Sequence, residues 1–388
     1  MIGDVWLCSG QSNMEMPVGS WGKVLNYEKE IKDADYDNIR YFNADHYTSN
    51  QPLNDLKQFK PWRACSPETV GDFSAVAYFF TRKIYNETGI PLGIVHASYQ
   101  GTAIESWVSR DAFTSDLKMR KITDSIFSDR ITWEEMKRAY EKSKTSASKP
   151  FRPQDAPTVL YNAMIHPLKY FPIKGILWYQ GENNVGRASQ YSGLFKTLIK
   201  DWRNTFENAQ LPFYFVQLAN YRDKQYDFSR SHWAELREAQ GKALSLTATA
   251  MAVTIDIGEA NNVHPKNKQE VGYRFALIAL AKTYKKNIEF SGPVYDNFKI
   301  RGNKVVLSFR HNKRLQAKSG GLLSGFAIAG KDKKFYWANA KIKNKRVVLY
   351  NREVANPIAV RYAWADNPDA SLYNSAQLPA APFRTDDW

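Results

Sequence analysis

Five apolar-rich runs, most of them with apolar residues at consecutive positions, punctuate the first 285 positions, at 5–8, 93–98, 173–179, 212–217 and 250–255. A strand built from such a run buries both faces, as in a parallel sheet covered by helices. Between the runs, apolar residues recur at helical spacing over 75–86, 190–204, 233–243 and 269–282. Strands alternating with helices predict right-handed crossovers and a three-layer α/β/α domain. Residues from about 111 to 157 break this rhythm. They are rich in charge and in Ser and Thr, and they read as a helical insertion over one edge of the sheet. The pattern changes again after Tyr284, where short alternating strands are separated by polar turns such as Lys343-Asn344-Lys345. Strands are predicted at 298–300, 305–309, 325–329, 335–337, 341–342, 347–350 and 358–362. The expected division is an α/β domain over 1–285 and a small antiparallel β domain over 286–388.

Composition adds little to this picture except through charge. A chain of 388 residues with 43% hydrophobic and 24% charged positions is globular. The formal charge of +15 admits a nucleic-acid partner or an acidic substrate. The lysines and arginines are spread along the chain with no recognised nucleic-acid motif, so the expectation is a solvated basic surface and no nucleic acid. No run approaches the roughly 20 apolar residues of a membrane helix. The two cysteines, Cys8 and Cys65, are too few for a disulfide framework. The first strand begins only four residues after Met1, with no signal segment before it. Either the gene starts abruptly or an upstream region is missing from this chain, and a periplasmic or secreted location is expected only in the second case. The sequence carries no indication of oligomeric state.

The first strand ends in Gly10-Gln11-Ser12-Asn13-Met14. A serine just past a buried strand, beside residues that tolerate unusual backbone angles, is how several hydrolase folds expose a nucleophile. Ser12 then needs a base. Of the six histidines, His96 lies inside a strand, and His166 precedes Pro167 on the approach to one. His264 follows the last strand of the α/β pattern through a turn-rich loop, Gly258 to Val263, and precedes a helix. That places it above the carboxyl ends of the strands, on the rim where Ser12 is expected and where such sheets bind ligands. Oxyanion donors are available from the loops after two further strands, through Gly101 and Gln180. There is no His-Glu-x-x-His, no paired cysteine and no glycine-rich phosphate loop, so no metal or cofactor is expected.

Three blocks make the chain recognisable: residues 10–17 (Gly-Gln-Ser-Asn-Met-Glu-Met-Pro), 178–183 (Trp-Tyr-Gln-Gly-Glu-Asn) and 264–268 (His-Pro-Lys-Asn-Lys). Together with 73–80, 160–167 and 360–368, they resemble the sialate O-acetylesterase family of SGNH hydrolases. The resemblance covers nearly the whole chain outside 111–157. It implies a flavodoxin-like fold and a serine-dependent esterase acting on an acetylated sugar or glycan, sialic acid first. It also implies Ser12 as nucleophile, His264 as base, and Gly101 and Gln180 as oxyanion partners of the Ser12 amide. Acetylated xylan or another polysaccharide is the alternative substrate. A non-catalytic carbohydrate-binding protein, stacking sugars on some of its 11 Trp and 22 Tyr, is the alternative of another class.

One departure matters. The family commonly has an aspartate just before the histidine, where this chain has Asn261 and Asn262. An amide stabilises an imidazolium less well than a carboxylate does. Either a backbone carbonyl orients His264 in a Ser-His dyad, or Glu259 or Asp256 supplies the charge, or the esterase is weak or inactive. Glu182 and Glu15 read as loop anchors.

Overall fold

The structure, a computed structural model, describes residues 2–115, 138, 152–228 and 230–388. The first strand, β1 (Asp4–Gly10), runs directly into a one-turn helix, α1 (Ser12–Glu15). There follow α2 (Tyr27–Lys32), β2 (Tyr36–Ala44), β3 (Phe59–Cys65), α3 (Ala75–Thr88), β4 (Leu92–Ser98), α4 (Arg110–Ser115), β5 (Gly175–Tyr179) and α5 (Ala188–Thr205). The pattern closes with β6 (Phe213–Gln217), α6 (His232–Gly241), β7 (Thr249–Val253) and α7 (Lys268–Lys282). Of the expected insertion over 111–157, positions 116–137 and 139–151 lie outside the described residues.

The chain divides into two compact units, 1–215 with 242–250, and 216–241 with 251–388. The compositional boundary at 285 marks a different property, the change from an α/β to an all-β pattern. The seven-stranded sheet has the order β3-β2-β4-β1-β5-β6-β7. β1 pairs in parallel with β4 on one side and with β5 on the other. Connections therefore leave the flanks of β1 in opposite directions, which makes its carboxyl end a switch point of the sheet. β3 is antiparallel to β2 at the edge, with two shifts of register. No crossover helix separates these two strands, so β3 returns beside β2 in the opposite sense.

Gly10 explains how β1 ends. Its φ is +143°, and a Cβ there would lie 2.1 Å from the carbonyl oxygen of Tyr179. Only glycine lets the last residue of β1 lie this close to the backbone of β5. Trp6 fills the space beneath, edge-on to Phe80 at 5.0 Å between centroids. The carboxyl half of the strand is buried without interruption from Trp6.

The second unit holds ten short strands. Labels continue with β8 (Val294–Arg301), β9 (Lys304–Arg310), β10 (Gln316–Ala317), β11 (Phe326–Ala329) and β12 (Phe335–Trp337). They end with β13 (Asn339–Lys343), β14 (Arg346–Tyr350), β15 (Ala359–Tyr362), β16 (Leu372–Tyr373) and β17 (Phe383–Arg384). Two four-stranded sheets, β13-β14-β9-β8 and β12-β11-β15-β17, enclose a core of Val305, Leu307, Val347 and Leu349 against Phe326, Ile328, Val360 and Tyr362. The fully buried Arg237 of α6 ties that helix to the strand ends. It donates to the carbonyls of Leu218, Ala219, Ala365 and Asp366 at 2.7–2.9 Å. Burial without a directly bonded carboxylate pushes its guanidinium down to about 9. No helix among the described residues is long and apolar enough to cross a membrane.

Gly10→Ala is expected to destabilise the fold by about 3 kcal/mol, because alanine must both hold a positive φ and displace a carbonyl. Denaturant midpoints of the two proteins check this. A loss under about 1 kcal/mol would mean that β5 yields without cost.

Candidate active site

Ser12 is the first residue of α1, immediately past the carboxyl end of β1, and is 7% exposed. A one-turn helix cannot hold a side chain still by itself. Its neighbours fix it instead. Gln11 N–H donates to the carbonyl of Tyr179 at 3.0 Å, and Gln11 Oε1 accepts from the backbone of Gly181 at 3.2 Å. Asn13 Nδ2 donates to Glu182 Oε1 at 2.5 Å. On the far side, Ser74 caps α3 and also donates from Oγ to the carbonyl of Met14 at 2.6 Å. The residues on both sides of Ser12 thus grip the loop after β5, while a helix cap holds the end of its turn. Glu182 anchors as expected, but through the side chain of Asn13. Glu15 pairs with His46 at 3.1 Å, and His46 stacks on Tyr99 at 3.9 Å.

Gly101 lies in the loop after β4 with φ +66°. Its carbonyl is held by Arg152, and its N–H has no acceptor among the described residues. Gln180, fully buried at the end of β5, donates both Nε2 hydrogens, to Thr102 O at 3.1 Å and to Asn184 Oδ1 at 2.8 Å. Its Oε1 accepts from Tyr191 at 3.0 Å. Asn184, which the sequence reasoning did not single out, couples the two loops. Its Oδ1 also accepts from Ile104 N–H, and its Nδ2 donates to the buried Glu105. The signal for it was an amide five residues past a buried strand, inside the recognisable Trp178–Asn183 neighbourhood.

The second unit carries His264, half-buried in the loop between β7 and α7. Asn262 bridges this loop, accepting from His264 N–H at 3.0 Å and donating to Glu259 Oε2 at 3.1 Å. Glu259 Oε1 accepts from Lys266 N–H at 2.6 Å. Lys268 donates from Nζ to Pro265 O at 2.6 Å, and Asn267 caps α7 by accepting from Glu270 N–H. Asn261 is exposed. Asp256 is forked onto Arg274 at 2.6 and 2.8 Å and accepts from Tyr373 OH at 3.1 Å. Glu259 therefore braces the loop with both oxygens, and Asp256 serves a buried ion pair. Asn220 accepts from Gly258 N–H at 2.7 Å and donates to Asn367 at 2.7 Å, which supports the start of the loop from the strand ends.

A serine–histidine pair stands within the first unit. Ser98 Oγ donates to His96 Nε2 at 2.5 Å, and His96 Nδ1 donates to Asn43 Oδ1 at 2.6 Å. Burial, with the nearby His46 adding to it, pushes the His96 imidazole down to about 3. A histidine this reluctant to gain a proton cannot serve as a base near neutral pH. His166 donates to Leu53 O at 2.8 Å at the start of a 3₁₀ turn, a packing role. Both cysteines are buried and free. Among the described residues, no group of three or more His, Cys, Asp or Glu could hold a metal ion.

The family model described as carbohydrate esterase, sialic acid-specific acetylesterase, matches residues 138–281, a span that includes Gln180 and His264. A mouse sialate O-acetylesterase is 32% identical over 99% of this chain and 77% of its own length. The chain belongs to the sialate O-acetylesterase family. The human sialate O-acetylesterase is 30% identical, over 99% of this chain and 75% of its own. A crystal structure of a carbohydrate acetylesterase from Xanthomonas citri superposes with a TM-score of 0.86 at 38% identity, covering 100% of this chain and 81% of that one. The fold is the three-layer α/β/α SGNH-like architecture with C-terminal antiparallel β sheets expected from the sequence, and the protein is an esterase.

The neutral state of His96 has a stability consequence. Its folded pKa lies below the unfolded value of about 6.5. Its contribution is complete above pH 6.5 and is lost as pH falls toward 3. The parent is expected to lose stability between pH 7 and 4.5, and His96→Gln to lose less. Denaturant midpoints at both pH values measure this, and equal losses would contradict the assignment.

Proposed function

We propose that the chain removes O-acetyl groups from sialic acid by an acyl-enzyme route, with Ser12 as nucleophile and His264 as base. Ser12 Oγ attacks the acetyl carbonyl carbon while His264 takes its proton. The carbon–oxygen bond to the sugar then breaks, and His264 returns the proton to the departing sugar oxygen. Water, deprotonated by His264, releases acetate from Ser12. The oxyanion rests on the N–H groups of Ser12 and Gly101. Gln180 joins them when Nε2 turns one hydrogen away from Thr102 or Asn184.

The observation that carries this reading is the fixed serine turn at the switch point of the sheet, clamped by Gln11 and Asn13 and beside a glycine N–H that no described residue uses. Rigid placement of nucleophile and donors is where such sites gain most of their rate. The reading for His264 is a dyad, because Asp256 and Glu259 are committed within their own unit. Charge favours sialic acid over a neutral xylan. A pocket of about 420 Å³ beside the serine turn is lined by Glu15, Asp45 and Asp72 as well as Lys60 and Arg63. Each acid is engaged, with His46, Asn43 and Ser20 respectively. Lys60 has no ion partner among the described residues, while Arg63 faces Asp72 at 3.7 Å through Nη1 and keeps its buried Nε without a hydrogen bond among them. A carboxylate on the sugar would meet both cations.

Ser12→Ala and His264→Ala are each expected to cut hydrolysis of a small chromogenic acetyl ester by about 10³-fold or more. A Ser12→Ala enzyme as fast as the parent would end the nucleophile assignment. Asn262→Asp is expected to bring no gain, since that side chain is tied to the loop backbone; a several-fold rise in kcat would show that a missing acid limits the enzyme. On a panel of acetylated sialic acid and acetylated xylo-oligosaccharides, Arg63→Ala is expected to raise KM about tenfold for the first alone. An equal effect on both substrates would remove the carboxylate argument.

A further inference from the structure

In the β13-β14-β9-β8 sheet, β9, β13 and β14 alternate between inner and outer positions, while β8 carries a bulge and is largely exposed. Val305, Leu307, Val347 and Leu349 point into the core. The register sets their alternate neighbours in three adjacent rows on the other face. Lys299, Val306, Val348 and Lys341 form one row, and Arg301, Lys304, Tyr350 and Asn339 a second. Beyond them the pairs Asn297–Ser308 and Arg346–Lys343 continue the third. Lys299, Arg301, Lys304, Lys341, Lys343 and Arg346 are all exposed, and none has an ion partner among the described residues. The only acid in these strands is Asp296, at the bulge between Tyr295 and Asn297 and bonded to Asn297 Nδ2 at 2.7 Å. A shallow hollow of about 200 Å³ lies in this face, lined by Asn297, Lys299, Arg301, Val306, Ser308 and Arg346.

A surface that only needs solvation mixes both signs of charge. Here six cations share one face with no acid in the rows, at neighbouring-strand spacings of about 5 Å and along-strand spacings of about 7 Å. Their mutual repulsion is relieved by a ligand that brings many negative charges in series. We propose that this face binds an anionic polysaccharide, a chain carrying a carboxylate on successive sugars. The family to which the chain belongs directs the choice to a sugar polymer. The composition of the face supports it over nucleic acid. Single-strand platforms interleave aromatic rings with cations, and the rows contain one aromatic, the half-buried Tyr350. Flat β strands also offer no protruding element for a duplex groove. The site is separate from the residues assigned to ester hydrolysis and does not depend on which sugar ester is cleaved.

The test uses the full chain and fluorescently labelled polysialic acid, read by anisotropy at 50 and 300 mM salt. Acetylated xylan, single- and double-stranded DNA and phosphatidylserine vesicles serve as comparison ligands. The expected result is binding of polysialic acid that weakens at least about tenfold at the higher salt, with no binding of xylan. The combined variant Lys299→Glu, Arg301→Glu, Lys341→Glu and Arg346→Glu should lose that binding by about tenfold or more. It should hydrolyse the small chromogenic ester at the parent rate. The milder pair Lys299→Gln and Arg346→Gln should weaken binding by a smaller factor, and it keeps the test open if the fourfold variant does not fold. The proposal is overturned if the parent does not bind polysialic acid at 50 mM salt or if the folded variants bind as the parent does. DNA or vesicles binding more tightly through the same residues would equally overturn it. Ester hydrolysis is read separately, so loss of polymer binding with full hydrolysis concerns this face alone, and the converse concerns Ser12.

Discussion

Everything on the serine side depends on one close approach of two backbones. Gly10, with no side chain and a φ of +143°, lets the end of β1 press against Tyr179 of β5. That approach puts Gln11 and Asn13 within reach of the loop after β5, and the two side chains close on it. The one-turn helix carrying Ser12 then needs no long helix behind it. Rigidity comes from being held at both ends, by the β5 loop through Gln11 and Asn13 and by the cap of α3 through Ser74. The recognisable block Gly10-Gln11-Ser12-Asn13 is thus three structural residues around the proposed nucleophile.

The histidine side reaches the same end by committing its polar groups to one another. Between Gly258 and Lys268, backbone and side-chain groups bond inside the loop or to Asn220, so that little of the loop's shape is left to solvent. This has a cost for charge. A carboxylate whose two oxygens both brace the loop is held where those bonds put it. Glu259 is used that way, and Asp256 is used by Arg274. The dyad proposed for His264 is the chemistry that suits a loop built on such terms. It asks more of the oxyanion donors, which fits the care with which Asn184 couples the loops after β4 and β5.

The sequence made most of the sheet legible because five of its strands are continuous apolar runs. β2 and β3 escaped because their residues, Tyr-Asp-Asn-Ile-Arg-Tyr-Phe-Asn-Ala and Phe-Lys-Pro-Trp-Arg-Ala-Cys, mix polar and apolar positions in an edge pair with a shifting register. The tiny strands β10, β16 and β17 carry two residues each, too few for any period. At the candidate site, Ser12 and His264 could be singled out from strand ends and turn residues. The partners of Asn262, Glu259 and Asp256 could not, because they are set by a loop whose bonds run between residues of several elements. The pairing of Asn13 with Glu182, 169 positions apart, is of the same kind.

Charge shows how a fold can turn a uniform sequence property into a local one. Along the chain the basic residues look evenly spread, and even spreading argues for solvation. In β9, β13 and β14 the alternation of strands sends every second residue outward, and two hairpin turns with the pairing of β14 on β9 bring those positions side by side with the exposed residues of β8. Packing leaves the outer positions unconstrained, so their composition reflects other demands. Mixed charge would satisfy solubility at less electrostatic cost than cations in adjacent rows. The inner face needed only apolar residues of the right volume; the one-signed outer face needs a reason outside the unit, and an anionic polymer supplies one.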